Sequence, residues 1–206
     1  MLAGCIGISL KTPDTGRKIE DSPLADRSKH WSLLKKMKAA IAFVLFMFLV
    51  GTCSTATAQQ VYTNANVDYS LELPSTVWRA TSEPDAAHEH AEFVNGERLD
   101  GYLQVRKEMV DAETTASVLA RRDLDQKLRF LPGFVEGKEE PFKGRLSGVM
   151  VSYEFIKTGK TMMGRIYYLQ TDNRTIYALR FTGLRDKLAR IRNQTDLIAR
   201  SFHIKP

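Results

Sequence analysis

The sequence predicts an α+β sandwich in which helices pack on an antiparallel β-sheet. Apolar residues alternate with period two over several segments, short turns join consecutive segments of this kind, and two longer segments carry apolar residues at helical spacing. Connections of two or three residues require antiparallel neighbours. A length of 206 residues with 43% hydrophobic content suits one domain of ordinary size.

Period-two alternation marks the strands of the first half. Residues 67–73 alternate until Pro74, which ends the strand because proline has no amide proton to donate. Residues 91–95 and 102–110 are the next two strands, and turn-forming Asn-Gly and Asp-Gly pairs lie between them. These segments predict three strands that each bury one face.

Three further strands form a meander in the second half. Residues 149–155, 162–170 and 175–181 alternate in the same way, and a shorter strand over residues 134–139 precedes them. The turns at residues 158–160 and 171–173 are short enough to predict two consecutive hairpins.

Two segments have the helical period instead. Between residues 111 and 132 six apolar residues fall on one side of a helix, which Asp111 or Thr114 can cap and Pro132 with Gly133 can end. These six residues are Ala116, Leu119, Ala120, Leu124, Leu128 and Leu131. A second stripe predicts one C-terminal helix packed on the sheet: Leu184, Leu188, Ile191, Thr195, Ile198 and Phe202.

The N-terminal region has the three parts of a secretory signal peptide. Residues 35–38 are cationic, residues 39–50 are apolar, and small residues follow up to Ala56-Thr57-Ala58, which predicts cleavage after Ala58. The apolar run is shorter than the roughly 20 residues that span a bilayer. Two alternatives stay open: residues 39–57 are retained as a membrane anchor, or Cys53 is lipidated.

This leader divides the chain into three parts. Residues 1–36 are predicted to be a disordered tail or a gene-model extension upstream of a true start at Met37. Residues 37–58 form the signal peptide, and residues 59–206 form a single globular domain. The predicted location of that domain is periplasmic or secreted.

Charge and cysteine content limit the classes of function that this domain can have. The net charge is +6, but the first 58 residues hold eight Lys/Arg and four Asp/Glu, so the remaining 148 residues carry only +2. No nucleic-acid partner is therefore expected. Both cysteines, Cys5 and Cys53, precede the predicted cleavage site, so the domain offers no thiol nucleophile and no disulfide. No cofactor is predicted.

The only metal-binding pattern is His88-Glu89-His90. Residues two apart share one side of an extended strand, so the imidazoles of His88 and His90 can face a transition metal together, with Glu92 nearby. The other interpretation is an exposed acidic loop leading into a strand. Since no Gly-x-Ser-x-Gly elbow, phosphate loop or dinucleotide fingerprint is present, no catalytic residue is predicted.

The chain resembles the PsbP-like superfamily, which includes the extrinsic photosystem II subunit, a Ran-binding import factor and bacterial exported proteins. The resemblance lies in three fragments, whose order and spacing extend over most of the domain: Tyr69-x-Leu71-x-Leu73-Pro74 with Trp78, Tyr177-x-Leu179, and Ile198-x-x-Ser201-Phe202. The resemblance implies a central antiparallel β-sheet flanked by helices on both sides, an α/β/α sandwich, and a domain that binds or scaffolds. A twin-arginine before the apolar run and a long arm before the first strand are both missing, so a photosystem role is not implied.

The predicted function is therefore an exported, non-enzymatic binding or accessory module of the cell envelope. Its expected partner is an envelope or extracytoplasmic protein or a small ligand. Contact with a membrane is expected only if residues 39–57 are retained or Cys53 is lipidated. The alternatives are an exported metal-dependent or hydrolytic enzyme that uses His88 and His90, and a membrane-anchored assembly factor.

Overall fold

The computed structural model describes residues 59–85 and 90–206, within a compact unit that extends from Ala56 to Pro206. The predicted tail, the signal peptide and His88 lie outside the described residues. Within these described ranges, ten strands form two sheets. The strands are β1 Gln60–Thr63, β2 Tyr69–Leu73, β3 Trp78–Ser82, β4 Glu92–Asn95, β5 Tyr102–Met109, β6 Val135–Lys143, β7 Ser147–Lys157, β8 Lys160–Gln170, β9 Thr175–Leu184 and β10 His203–Ile204.

The larger sheet has seven strands in the order β3-β4-β5-β9-β8-β7-β6, and every neighbouring pair is antiparallel. The predicted meander forms its centre. The turn between β7 and β8 consists of Thr158 and Gly159, whose φ angles are 48° and 71°. Two consecutive residues with positive φ match the right-handed twist of a two-residue hairpin, which confirms the first predicted hairpin.

Each face of the large sheet is covered by a different layer. Helix α1, Ala116–Gln126, packs on the face that includes Val151 and Ile166. The opposite face packs against two C-terminal helices and the small sheet, and Leu179 and Phe181 are fully buried there. The α+β class with helices on both sides of an antiparallel sheet is thus confirmed. The small sheet, in the order β1-β2-β10, was not predicted.

Helix α1 begins later and ends earlier than the sequence predicts. Asp111 and Thr114 do not cap it; Thr115 does, because its extended backbone lets its hydroxyl accept a hydrogen bond from the amide of Val118. Beyond Gln126 the chain tightens into a 3-10 turn, Leu128–Phe130, before Pro132. The apolar stripe is buried as predicted.

The C-terminal segment is two helices and not one. Leu184 is the last residue of β9, α2 spans Arg185–Arg190, and α3 spans Arg192–Ser201. The break lies at Ile191. The carbonyl of Ile191 accepts hydrogen bonds from the backbone amides of Gln194 and Thr195 in α3, so a new helix begins there. Periodicity did not reveal this break because the buried positions on either side keep the same spacing.

Strands β1, β3 and β10 are only four, five and two residues long, and none was predicted. Strand β3 nevertheless contains Trp78, which is 1% exposed and donates its indole N–H to Gln194 of α3 at 2.8 Å. In the part of the chain that the structure describes, every helix is too short or too polar to cross a membrane.

Candidate functional site

A cavity of about 580 Å³ lies on the α1 face of the large sheet. Helix α1 itself packs over β7 and β8. The cavity lies beyond the end of α1, between the segment that follows the 3-10 turn and residues of β5, β7, β8 and β9. We call it the cationic groove. It is lined by Arg98, Leu99, Tyr102, Gln104, Leu131, Pro132, Phe155, Ile156, Lys157, Thr158, Met162, Arg180 and Thr182.

One wall of the groove is apolar. Leu131 and Pro132 follow the 3-10 turn after α1, and Phe155 and Ile156 come from the end of β7. The amide of Ile156 donates to the carbonyl of Pro132 at 2.7 Å, so the two segments are held together. Met162 of β8 completes this wall. The wall can therefore exclude water from an apolar group that lies along it.

The polar groups of the groove include three cations. Arg98 precedes β5, Lys157 ends β7, and Arg180 lies in the middle of β9. Of the described residues that line the groove, none is Asp or Glu. Within residues 59–85 and 90–206, Lys157 and Arg180 have no ion-pair partner, and Arg98 has only Glu92, at 4.0 Å. An unbalanced positive charge of this kind favours an anion.

A buried tyrosine positions Arg180. Tyr153 of β7 is 1% exposed, and its hydroxyl accepts a hydrogen bond from the Nε of Arg180 at 2.9 Å. The ring reaches β9 by crossing Gly164 of β8, where an added Cβ would lie 2.1 Å from the ring. Burial raises the pKa of Tyr153, although the charge of Arg180 opposes this, so the phenol stays protonated at neutral pH. Within the described ranges, the Nη groups of Arg180 have no hydrogen-bond or ion-pair partner.

Tyr102 and Arg98 form the opposite rim. The guanidinium carbon of Arg98 lies 4.1 Å from the ring centroid of Tyr102, a cation–π distance. Burial and the neighbouring Glu92 carboxylate raise the pKa of Tyr102 to about 12. The phenol is thus neutral at physiological pH, and it contributes a hydrogen-bonding group beside the guanidinium without adding negative charge.

His90, one of the two predicted metal ligands, lines a second cavity of about 320 Å³. There Asp68 receives a hydrogen bond from Tyr177 at 2.6 Å and an ion pair from Lys107 at 2.5 Å. Burial alone would raise the pKa of Asp68, but these two bonds and the charge of Lys107 hold it below its ordinary value. The carboxylate is therefore ionised, and each of its oxygens already has a partner.

The metal prediction stays open because His88 lies outside the described residues. The described part of the chain contains no group of three or more His, Cys, Asp or Glu side chains arranged to hold a metal ion. His203, the other histidine of the domain, lies 3.1 Å from Arg145 and 2.9 Å from the carbonyl of Ser201.

Sequence reasoning missed every cation of the groove. Arg98, Lys157 and Arg180 are 23 or more positions apart in the sequence, and only the pairing of β5 with β9 brings two of these segments together. One signal was available: Arg180 is a charged residue between Leu179 and Phe181, so period two places it on the face opposite to theirs.

Comparisons with known proteins concern the fold alone. No family model and no curated protein matches the chain. A protein from Bacteroides thetaiotaomicron aligns with 71% of this chain and 48% of its own, at 11% identity and a TM-score of 0.50. Cyanobacterial PsbP from Synechocystis sp. PCC 6803 aligns over 75% and 96%, at 15% identity and a TM-score of 0.49. LpqN, involved in cell envelope biogenesis of Mycobacterium tuberculosis, aligns over 73% and 93%, at 16% identity and a TM-score of 0.48. The chain spans about half of the length of the Bacteroides protein.

Proposed function

We propose that the protein is an exported, non-enzymatic binding or accessory module of the cell envelope, and that its cationic groove holds a small ligand. The leader pattern of residues 37–58 supports export, to the periplasm or beyond the cell. The single observation that carries the binding role is the groove, whose volume of about 580 Å³ lies in the range of small-molecule sites.

The lining of the groove suits binding. Small-molecule sites combine apolar walls with a few well-placed polar groups. Here the polar groups are guanidinium, ammonium, amide and hydroxyl groups, which hold a ligand by charge and hydrogen bonds. Gln104 and Arg180 lie on paired central strands, β5 and β9, so the floor of the site is rigid.

Export is tested on the full chain in cell fractions. The expected result is a protein in the extracytoplasmic fraction whose first residue is Gln59. A variant in which Ala56 and Ala58 are changed to bulky residues is the matched control, since it keeps the apolar run and should retain the leader. Recovery of the unmodified chain at full length from the cytosol would contradict the proposed location.

Binding is tested by native mass spectrometry of the protein purified from that fraction under mild conditions. We expect a bound small molecule that denaturation releases. The Arg180→Met variant should lose it, whereas Lys160→Met, a charge change outside the groove lining, should keep it. A protein partner in equal amounts, with no small molecule in either form, would show that the module acts through its surface.

A further inference from the structure

The cationic groove is polarised along its length. Its apolar groups come from the segment around Pro132 and from the neighbouring strands β7 and β8, whereas Arg180 and Gln104 lie on the central strands. A simple inorganic anion would use the cations and leave the apolar wall in water. A neutral hydrocarbon would use the wall and leave the cations without a counter-charge.

Arg180 is the cation that lies on the central strands. Its Nε donates to the hydroxyl of Tyr153, and within the described part of the chain its Nη groups have no hydrogen-bond or ion-pair partner. Lys157 follows Ile156 of the apolar wall and pairs with Lys160, six β8 positions from the partner of Arg180, and Arg98 is held over Tyr102. A guanidinium with free Nη groups binds carboxylate and phosphate in a planar, two-pronged geometry. A compact anionic head therefore complements this end.

We infer that the ligand of the cationic groove is an amphipathic organic anion, with one carboxylate or phosphate head at Arg180 and one apolar chain along the wall formed by Leu131, Phe155 and Ile156. This inference rests on the proposed function, because it names the ligand class of the same groove. It differs from that function in being independent of where the protein is located.

The test is isothermal titration calorimetry on the full chain as recovered from cells, after removal of co-purified lipid. Decanoate and decyl phosphate are the two anionic probes, and decanol and decyltrimethylammonium carry the same chain with a neutral or a positive head. Acetate and inorganic phosphate are the heads without a chain. All probes are used below their critical micelle concentrations.

We expect one equivalent of at least one anionic probe to bind, with decanol and decyltrimethylammonium about tenfold weaker or more, as for a lost charge-assisted hydrogen bond. Acetate and phosphate should give no heat. Shortening decanoate to octanoate should weaken binding by up to about fourfold per methylene, the value for full burial. The stronger of the two anionic probes then assigns the head as carboxylate or phosphate.

One variant and two controls locate the head. Arg180→Met should weaken anion binding by about tenfold. Lys157→Met removes a cation of the same groove that is distant from Arg180 in the sheet register, so it should weaken binding by about twofold or less. Lys160→Met should leave the affinity unchanged, because Lys160 does not line the groove. The comparison of anionic with neutral probes on the unmodified chain stays informative if Arg180→Met lowers stability.

Equal binding of decanoate and decanol, or equal effects of Arg180→Met and Lys157→Met, would overturn the inference, as would the absence of heat with every probe. The proposed export fails separately, through the fraction in which the chain is found. A cytosolic protein that binds decanoate at Arg180 would retain the ligand class and refute only the location.

Discussion

The ion pair between Arg165 of β8 and Asp196 of α3 should be one of the contacts that hold the C-terminal helix on the sheet. The Arg165 side chain is 5% exposed and lies 2.8 Å from Asp196, whose side chain is 29% exposed. The hydroxyl of Tyr167 donates to the same carboxylate oxygen at 2.5 Å. Asp196→Ala would leave a guanidinium buried without a counter-charge.

We expect Asp196→Ala to lower the free energy of unfolding by about 2–3 kcal/mol. Removing one partner of a fully buried pair costs roughly 3–5 kcal/mol, and the partial exposure of Asp196 reduces this because water can reach the vacated position. Urea unfolding followed by far-ultraviolet circular dichroism measures the change. The midpoint should fall while the urea dependence stays constant.

The matched control is Asp125→Ala in α1. Asp125 pairs with Arg129 at the same distance of 2.8 Å, but the two side chains are 44% and 58% exposed. This substitution should cost less than about 0.5 kcal/mol, as exposed helical pairs do. Equal losses for Asp196→Ala and Asp125→Ala would refute the argument from burial. Adding Arg165→Met to Asp196→Ala should recover part of the lost free energy of unfolding, because the buried guanidinium without a counter-charge is then removed.

Three further predictions concern other parts of the domain. The metal hypothesis for His88 and His90 predicts zinc-dependent heat in calorimetry, which a variant with both changed to alanine should lack. Gly164→Ala should lower the free energy of unfolding by about 1–3 kcal/mol, the usual cost of overpacking a core. The reason is that the new methyl group would lie 2.1 Å from the buried ring of Tyr153. Urea unfolding measures this change in free energy. Burial raises the pKa of Tyr69 to about 12. Between pH 10 and pH 12 the unfolded chain therefore loses the phenol proton of Tyr69 while the folded chain keeps it, so the free energy of unfolding should fall over this range.

Each of these predictions has a distinct contrary result. The metal hypothesis fails if zinc gives no heat, or if the heat survives in the double-alanine variant. For Gly164→Ala the control is Gly183→Ala, whose new Cβ would lie 3.0 Å from the carbonyl of Asp100 and requires a smaller shift; equal losses would contradict the packing argument. For the alkaline loss, Tyr69→Phe removes the titrating group, and an unchanged slope above pH 10 would assign the loss to other residues.

Period-two reasoning was accurate wherever a strand buries one face completely. Tyr177, Leu179 and Phe181 are each at most 1% exposed, as their alternation implied. It failed for β1 and β10, whose four and two residues carry too few positions to show a period. It also joined two helices into one, because a buried residue at 188 and another at 195 fit a continuous helix and an interrupted one equally well.

The groove shows why the sequence predicted less of the candidate site than of the fold. An apolar alternation is visible within one strand, but a groove exists only after β5 and β9 pair across more than 70 positions, with Tyr102 opposite Thr182. The informative residue was Arg180, a charge on the face where Ile176 and Ala178, at the same parity, are buried in one cluster with the apolar stripe of α1. The groove lies beyond that cover, because Arg180 and Thr182 line it and Ile176 and Ala178 do not. A charged residue on a central strand thus marks the place where a covering layer ends, and in this protein it is the place where we propose that a ligand binds.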